Sequence, residues 1–258
     1  MFAEILKQSW EALRRNPARS LLTMLGIVWG IVAVAVLLAY GNSFRSVLVA
    51  AFDAFGKSAV TCWPGQTSEQ AGGERAGKPV KLEREDMDLV RADAPMVKGV
   101  SLETVRWRGI SYGGRLVSTA IRGVYPDYGE IRNEVPNDGR WFTPDDCLLR
   151  RRVAFLGGHL KEQLFSGRPA AGETVTIDGM RFMVAGTMSR KIQLSDYFSP
   201  DDDSVWIPYT TAGDLWDTRY AEVFVFSAIN PRFEEDAIRQ VREIIGKRHR
   251  FSPTDTRA

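Results

Sequence analysis

The chain has 258 residues, long enough for one large domain or two modest ones, and 44% apolar with 26% charged residues is ordinary globular usage. Thirty-four Lys and Arg against 32 Asp and Glu leave a net charge of +2, too balanced for a protein whose main work is to grip phosphate backbones, so no nucleic acid is expected as partner. Two Cys and two His are too few for structural zinc, iron–sulfur or Cys/His catalysis, and no metal or cofactor is expected.

In chain order, the first feature is amphipathic. Phe2, Ile5, Leu6, Ser9, Trp10 and Leu13 recur at helical spacing with Lys7, Glu11 and Arg14 on other faces, which reads as a short helix lying in a headgroup region or as a solvated leader. Asn16-Pro17 ends it. Between Arg19 and Arg45 there is no Asp, Glu, Lys, Arg or His, and Leu21 to Tyr40 is an apolar run of about 30 Å of helix at ~1.5 Å per residue, the thickness of a bilayer core. That is longer than the apolar region of a signal peptide. Lys7, Arg14, Arg15 and Arg19 precede the span while only Arg45 and Lys57 follow closely, so the positive-inside bias places the N-terminus in the cytoplasm and the bulk of the chain outside. Trp10, Arg14, Arg15, Arg19 and Tyr40 are the expected interface anchors. Gly26 and Gly30 lie four apart and form a small-residue face on which another helix can pack, the alternative being incidental glycine.

Past the span, Phe44, Val47, Leu48, Ala51, Phe52 and Phe55 continue helical spacing to Gly56, extending the helix as a stalk. A short strand ends at Trp63-Pro64-Gly65, and Gln66 to Lys78, without a large apolar side chain, reads as a mobile loop. A helix near Glu83–Ala92 and extended segments near Val97–Arg108 and Leu116–Val124 follow, a β–α–β–β order suited to an open sandwich. A second unit starts near Arg151. It holds a buried strand Val153–Leu156, a helix after Gly157-Gly158 and a hairpin from Val175 to Val184 turning on Asp178-Gly179. Val205–Pro208, a strand Glu222–Ile229 and a helix opened by Asn230-Pro231 close the pattern, with Ile238, Val241, Ile244 and Ile245 as the core stripe of that helix.

Candidate chemistry is sparse. Gly72 to Lys78 spells a P-loop spacing, but Pro79 stands where Ser or Thr would bind magnesium, so a flexible glycine-rich loop is preferred. Asp201-Asp202-Asp203 lacks the spaced ligands of a calcium loop and reads as a solvated acidic turn. Cys62 and Cys147 either pair or stay as two thiols; His159 and His249 read as ordinary polar positions. No nucleophile elbow or Ser-x-x-Lys pair is present, so the chain is expected to be non-catalytic.

Arg19-Ser20-Leu21-Leu22-Thr23-Met24-Leu25-Gly26-Ile27 with Gly30-Ile31 resembles the first-helix signature of MacB-type (FtsX superfamily) ABC transporter permeases. Further matches follow in the family's order: Arg122-Gly123-Val124, Gly139-Arg140-Trp141-Phe142 with Asp145 and Asp146, Val153–Gly157 with Leu164-Phe165, Gly172 with Phe182–Gly186, Ile207-Pro208-Tyr209 and Arg248-His249-Arg250-Phe251. The resemblance implies an α+β fold: one N-terminal transmembrane helix, then a two-lobed extracytoplasmic domain with a porter-like α/β sandwich lobe and an inserted, mainly-β lobe. The expected divisions are 1–18 as the amphipathic helix, 19–57 as transmembrane helix and stalk, and 58–258 as the MacB-like core domain. Within it the porter-like lobe takes 58–125 and 221–250, and the inserted lobe 126–220. Implied partners are the inner membrane, a cytoplasmic ABC ATPase subunit, further transmembrane helices or a second permease protomer, and a periplasmic adaptor. Family permeases carry three more transmembrane helices after such a domain, so the chain reads as a fragment, a truncated product or one piece of a split permease. The implied role is to couple ATPase motion to the extracytoplasmic lobes for export or extraction of a lipid, lipoprotein, peptide or drug. The alternatives are a membrane-tethered binding or adaptor protein and, more weakly, a membrane-anchored enzyme.

Overall fold

The computed structural model describes residues 4, 16–55, 59–68, 76–190 and 197–258, which fall into two compact units, 1–50 and 51–258. The amphipathic stretch around Trp10, Arg14 and Arg15 lies outside the described residues, as do Gly56 and most of the glycine-rich loop. Helix α1 runs Pro17–Phe55. Proline suits its first turn, where an N–H would have no helical acceptor. Its segment Pro17–Arg45, 29 residues, is long and apolar enough to cross a membrane.

The second unit is a mixed α/β domain built on one nine-stranded sheet in the order β1-β9-β2-β3-β8-β5-β7-β4. Those strands are β1 Ala59–Cys62, β2 Val97–Tyr112, β3 Arg115–Val124, β4 Pro136–Gly139, β5 Val153–Leu156, β6 Thr174–Ile177, β7 Met180–Met188, β8 Val205–Pro208 and β9 Val223–Ala228. Strand β6 pairs with both β2 and β7. The pairings β2–β3, β3–β8, β8–β5, β5–β7, β7–β6 and β6–β2 therefore close a six-stranded ring, with β3–β8 and β5–β7 parallel and the rest antiparallel. The ring encloses Ile110, Ile121, Leu156, Ile177, Phe182 and Val205, plugged by Leu160, Leu164 and Phe165 of the helix Gly158–Phe165. At the opposite end, β1, β9 and the first half of β2 form an open sheet. The long hairpin β2–β3 belongs to both structures, because its second half supplies two walls of the ring.

Alternation on the open sheet decides which side chain faces which layer. Phe224 and Phe226 join Val100 and Leu102 under two helices, α2 Arg84–Asp93 and the C-terminal helix Glu234–His249. Val223 and Val225 face the other way, into a layer with Tyr128, Phe155 and Trp206. The C-terminal helix places Glu234, Glu235 and Asp236 in its first turn and Lys247, Arg248 and His249 in its last, complementing its dipole. Val241 and Ile245 are buried, while Ile238 and Ile244 pack partly buried against the same core.

The expected β6–β7 hairpin turns on Asp178 (φ 46°) and Gly179 (φ 81°), both left-handed as a type I′ turn requires. Elements without local periodicity were not expected: β4 and three helices of four or five residues, Asp127–Ile131, Pro144–Leu148 and Tyr209–Ala212. The Gln66–Lys78 loop is anchored at its ends: Gln66 bridges Pro79, and the Lys78 N–H donates to Thr67 Oγ1 at 3.1 Å.

Candidate functional site

On α1, every residue from Leu21 to Arg45 is exposed. Gly26 and Gly30 share one face, and a Cβ built on either would meet no atom within 4 Å among the described residues. Arg19 sits in the first turn, and Thr23 Oγ1 donates back to its carbonyl at 2.9 Å. Tyr40, 72% exposed, stacks on Phe44 with centroids 6.5 Å apart. The expected anchors Trp10, Arg14 and Arg15 lie outside the described residues.

In the domain, the principal polar feature is a charge cluster inside the layer beneath Trp206. Glu103 on β2 lies opposite Val124 and Arg122 on β3 lies opposite Val105, so the two are diagonal neighbours on one face. Their side chains are 0% and 1% exposed, and Arg122 Nη1 donates to Glu103 Oε1 at 3.1 Å. Arg122 Nη2 donates to the carbonyls of Ser199 and Tyr197 at 2.5 and 3.2 Å. The Tyr197 hydroxyl donates to Glu103 Oε2 at 2.6 Å and lies 3.0 Å from the Tyr128 hydroxyl. Asp201 completes the group, its oxygens 3.8 Å from Arg122 and 3.7 Å from a second buried arginine, Arg132. Both guanidinium groups sit over the Tyr197 ring, at 5.2 and 5.1 Å.

Burial pushes the Glu103 carboxyl up, opposed by Arg122, and pushes both tyrosine hydroxyls up so that they remain donors. Burial works against the Arg122 charge too, but Tyr128, Glu103 and Asp201 outweigh it and hold its pKa well above the ordinary value. The cluster fastens the segment 197–204, which leads into β8, to strands β2 and β3. Its groups are used on one another, and nothing in it resembles a nucleophile beside a base.

The expected solvated turn at Asp201–Asp203 is corrected here: Asp201 is 0% exposed and belongs to the cluster, because the 3-10 turn aims it inward, while Asp202 and Asp203 stay half-buried. Both histidines have acidic partners: His159 Nδ1 lies 2.6 Å from Asp203 Oδ1, and His249 Nε2 lies 2.8 Å from Asp86 Oδ1. Burial raises the Asp86 carboxyl, yet hydrogen bonds from His249, the Glu83 N–H and Arg248 bring it below its usual range. Cys62 and Cys147 are free thiols, both pushed by burial up to about 11. Among the described residues no group of three or more His, Cys, Asp or Glu is placed to hold a metal ion.

Arg122 was visible in the sequence only as part of the Arg122-Gly123-Val124 match. Glu103, Arg132 and Tyr197 carried no local signal, because each finds its partners through pairings distant in the chain.

A family model described as MacB-like periplasmic core domain matches residues 20–244. Two curated relatives, each called macrolide export ATP-binding/permease protein MacB, come from Chlorobium phaeobacteroides, 27% identical, and Chlorobium luteolum, 29% identical. Each alignment covers 98% of this chain and 38% of the relative, so the chain spans little more than a third of their length. Among solved structures, the extracellular domain of the ABC-type transporter YknZ from Gram-positive bacteria superposes with a TM-score of 0.60 at 16% identity, over 75% of this chain and 97% of that one. The periplasmic region of MacB from Actinobacillus actinomycetemcomitans gives 0.60 at 17% identity, over 76% of this chain and 86% of that one.

Proposed function

The chain belongs to the MacB-like periplasmic core domain family, and from that membership we propose that it is a non-catalytic permease component of an ABC transporter. The observation that carries the reading is that one family match takes in the apolar helix and the mixed domain together, residues 20–244. Helix α1 crosses the inner membrane with its N-terminus in the cytoplasm, following the excess of arginine before the span. The domain lies outside, divided into a porter-like lobe of 58–125 with 221–250 and an inserted lobe of 126–220. A separate cytoplasmic ATPase supplies the motion, and the lobes convert it into export or extraction of a lipid, lipoprotein, peptide or drug. Gly26 and Gly30 face the companion helices or a second protomer, Arg19 and Tyr40 mark the two membrane interfaces, and Trp10, Arg14 and Arg15 join Arg19 on the cytoplasmic side. A periplasmic adaptor is the further partner.

Reporter fusions at Ser20 and Ala258 test the topology: a cytoplasmic reporter is expected to be active only at Ser20. Purification of the chain from its native membrane without crosslinking tests the partnership. Co-recovery of an ABC ATPase and a multi-span protein is expected. A cytoplasmic C-terminus, or recovery of the chain alone with full transport activity, refutes the reading.

A further inference from the structure

A cleft opens on the domain where α2 faces the helix Pro144–Leu148, the helix Tyr209–Ala212 and the loop that follows. It has two adjoining chambers of about 620 and 770 Å³, which share Arg84, Tyr125, Arg150 and Thr210 in their linings. Each chamber is in the size range of small-ligand sites, roughly 300–1,000 Å³. The floor is aromatic, because the Tyr125 and Tyr209 rings stack with centroids 5.0 Å apart and an interplanar angle of 18°.

Tyr125 and Tyr209 differ in one respect. The Tyr209 hydroxyl donates to the Thr218 carbonyl at 2.9 Å, whereas the Tyr125 hydroxyl has no hydrogen-bond partner among the described residues although Tyr125 is only 7% exposed. The Tyr125 oxygen is not among the buried polar atoms that lack a partner, so the ring is covered while its hydroxyl tip keeps contact with solvent. Tyr125 lines both chambers, and burial pushes its pKa up to about 12, so the hydroxyl stays a donor. The hydroxyl is thus aimed into the cleft.

The charged walls are balanced. Arg84, Asp88 and Arg91 form a row on one face of α2, with Asp88 3.6 and 3.8 Å from the two arginines and Arg91 also 3.1 Å from Asp127. Across the cleft stand Asp145 and Arg150, the latter paired with Asp214, with Leu148 between them 79% exposed. A strongly anionic or cationic ligand would meet as many like charges as opposite ones on these walls.

We propose that this cleft binds a small zwitterion carrying an apolar group, with its anionic end at Arg150, its cationic end at Asp88, a polar atom on the Tyr125 hydroxyl and its apolar group on Leu148. A free short peptide and a phosphocholine ester share this chemistry. The inference rests on the cleft alone and needs neither an ATPase nor transport.

The test is isothermal titration of the full chain in an uncharged maltoside detergent with three probes: unblocked trileucine, N-acetyl-trileucine amide and hexylphosphocholine. At least one zwitterion is expected to saturate the chain, with blocked trileucine at least about tenfold weaker. Tyr125→Phe keeps the ring stack and should weaken the zwitterion about 3- to 10-fold, the worth of one hydrogen bond; Arg150→Ala should weaken it further. Leu116→Ala, at an exposed position on the β2–β3 hairpin, should change nothing. Binding of trileucine alone assigns the site to peptides, and binding of hexylphosphocholine alone assigns it to lipid headgroups. The proposal is overturned if neither zwitterion saturates, if the blocked peptide binds equally well, or if Tyr125→Phe and Arg150→Ala leave affinity unchanged.

Discussion

From Leu21 to Arg45 the chain exposes every side chain, apolar ones included, whereas between β2 and the 3-10 turn at Asp201–Asp203 it buries Glu103, Arg122, Arg132 and Asp201 to 1% exposure or less. In water both would be unfavourable: exposed leucines lose the hydrophobic contribution, and a carboxylate moved into a low-dielectric interior loses several kcal/mol of hydration. The helix is reconciled by a different solvent, since a bilayer core accepts Leu, Ile and Val and demands only that the backbone bond to itself, which a helix does. The domain is reconciled by internal partners, because each buried charge meets an opposite one or a fixed dipole. The comparison teaches that exposure and burial acquire meaning only with the medium: apolar surface marks the helix for lipid, and buried charge marks the domain interior as tightly determined.

The largest effect that could break this contrast comes from removing one member of the cluster. Arg122→Met leaves Glu103 and Asp201 with less compensation and is expected to cost about 3–5 kcal/mol, read as a fall in the denaturant midpoint of the full chain in mild detergent. Adding Glu103→Leu to the same chain should recover much of that loss, because a pair of apolar side chains needs no partner. If Arg122→Met costs under ~1 kcal/mol, in the range of exposed pairs, the cluster is wetter than its burial indicates and the contrast with the helix weakens.

A middle-sized effect belongs to Asp146, which is 0% exposed and lies 2.6 and 3.3 Å from Arg140 and Arg151. It also accepts from the Thr143 N–H and hydroxyl at 2.8 and 3.0 Å, closing a capping box on the helix Pro144–Leu148. Burial opposes its charge, yet these donors hold its carboxyl at about 2. A carboxyl lowered by folding contributes its stability above the unfolded value of about 3.9, and loses it as pH falls from there toward the folded value. Asp146→Asn should therefore cost about 1–3 kcal/mol at pH 7, and the difference from the natural chain should shrink between about pH 4 and pH 2. An undiminished difference at pH 2 would mean the cost is packing rather than charge.

How much of this was legible follows the range of each interaction. The membrane-length run, the Asp178-Gly179 hairpin, strand β9 and the C-terminal helix are encoded by residues next to one another, and all were expected close to where they stand. The ring closes through β3–β8 and β2–β6, whose partners are tens of residues apart, and no local period announces such pairing. The cluster was hidden for the same reason. Glu103 and Arg122 look like ordinary polar residues of strands with one wet face, and only a sheet covered on both faces makes them interior. Asp201 was masked by its neighbours, since three aspartates in a row read as a surface turn until the backbone aims the first inward. Of the helix, the sequence disclosed the glycine spacing but not a partner.

The smallest effect tests that glycine face. A Cβ at Gly26 or Gly30 meets no atom within 4 Å, so Gly26→Leu with Gly30→Leu introduces no clash within the described chain. Helix propensity alone favours the change, by roughly 0.8–1 kcal/mol at each position, because glycine gives up more backbone freedom than leucine. If the glycines are incidental, the double variant should insert and associate as before. If they form a packing face, bulk at both positions holds a neighbouring backbone away, and association with companion helices or a second copy should weaken by ~1 kcal/mol even though the isolated helix is stabilised. Energy transfer between labelled chains in native-lipid vesicles reads the two outcomes apart, since one leaves the signal unchanged and the other lowers it severalfold. Alanine at both positions is the sharper control: it raises helix propensity as well but keeps the face small, so it should leave association largely intact where leucine does not. Loss with alanine and leucine alike would point to a need for flexibility at these positions and would remove them from the packing surface.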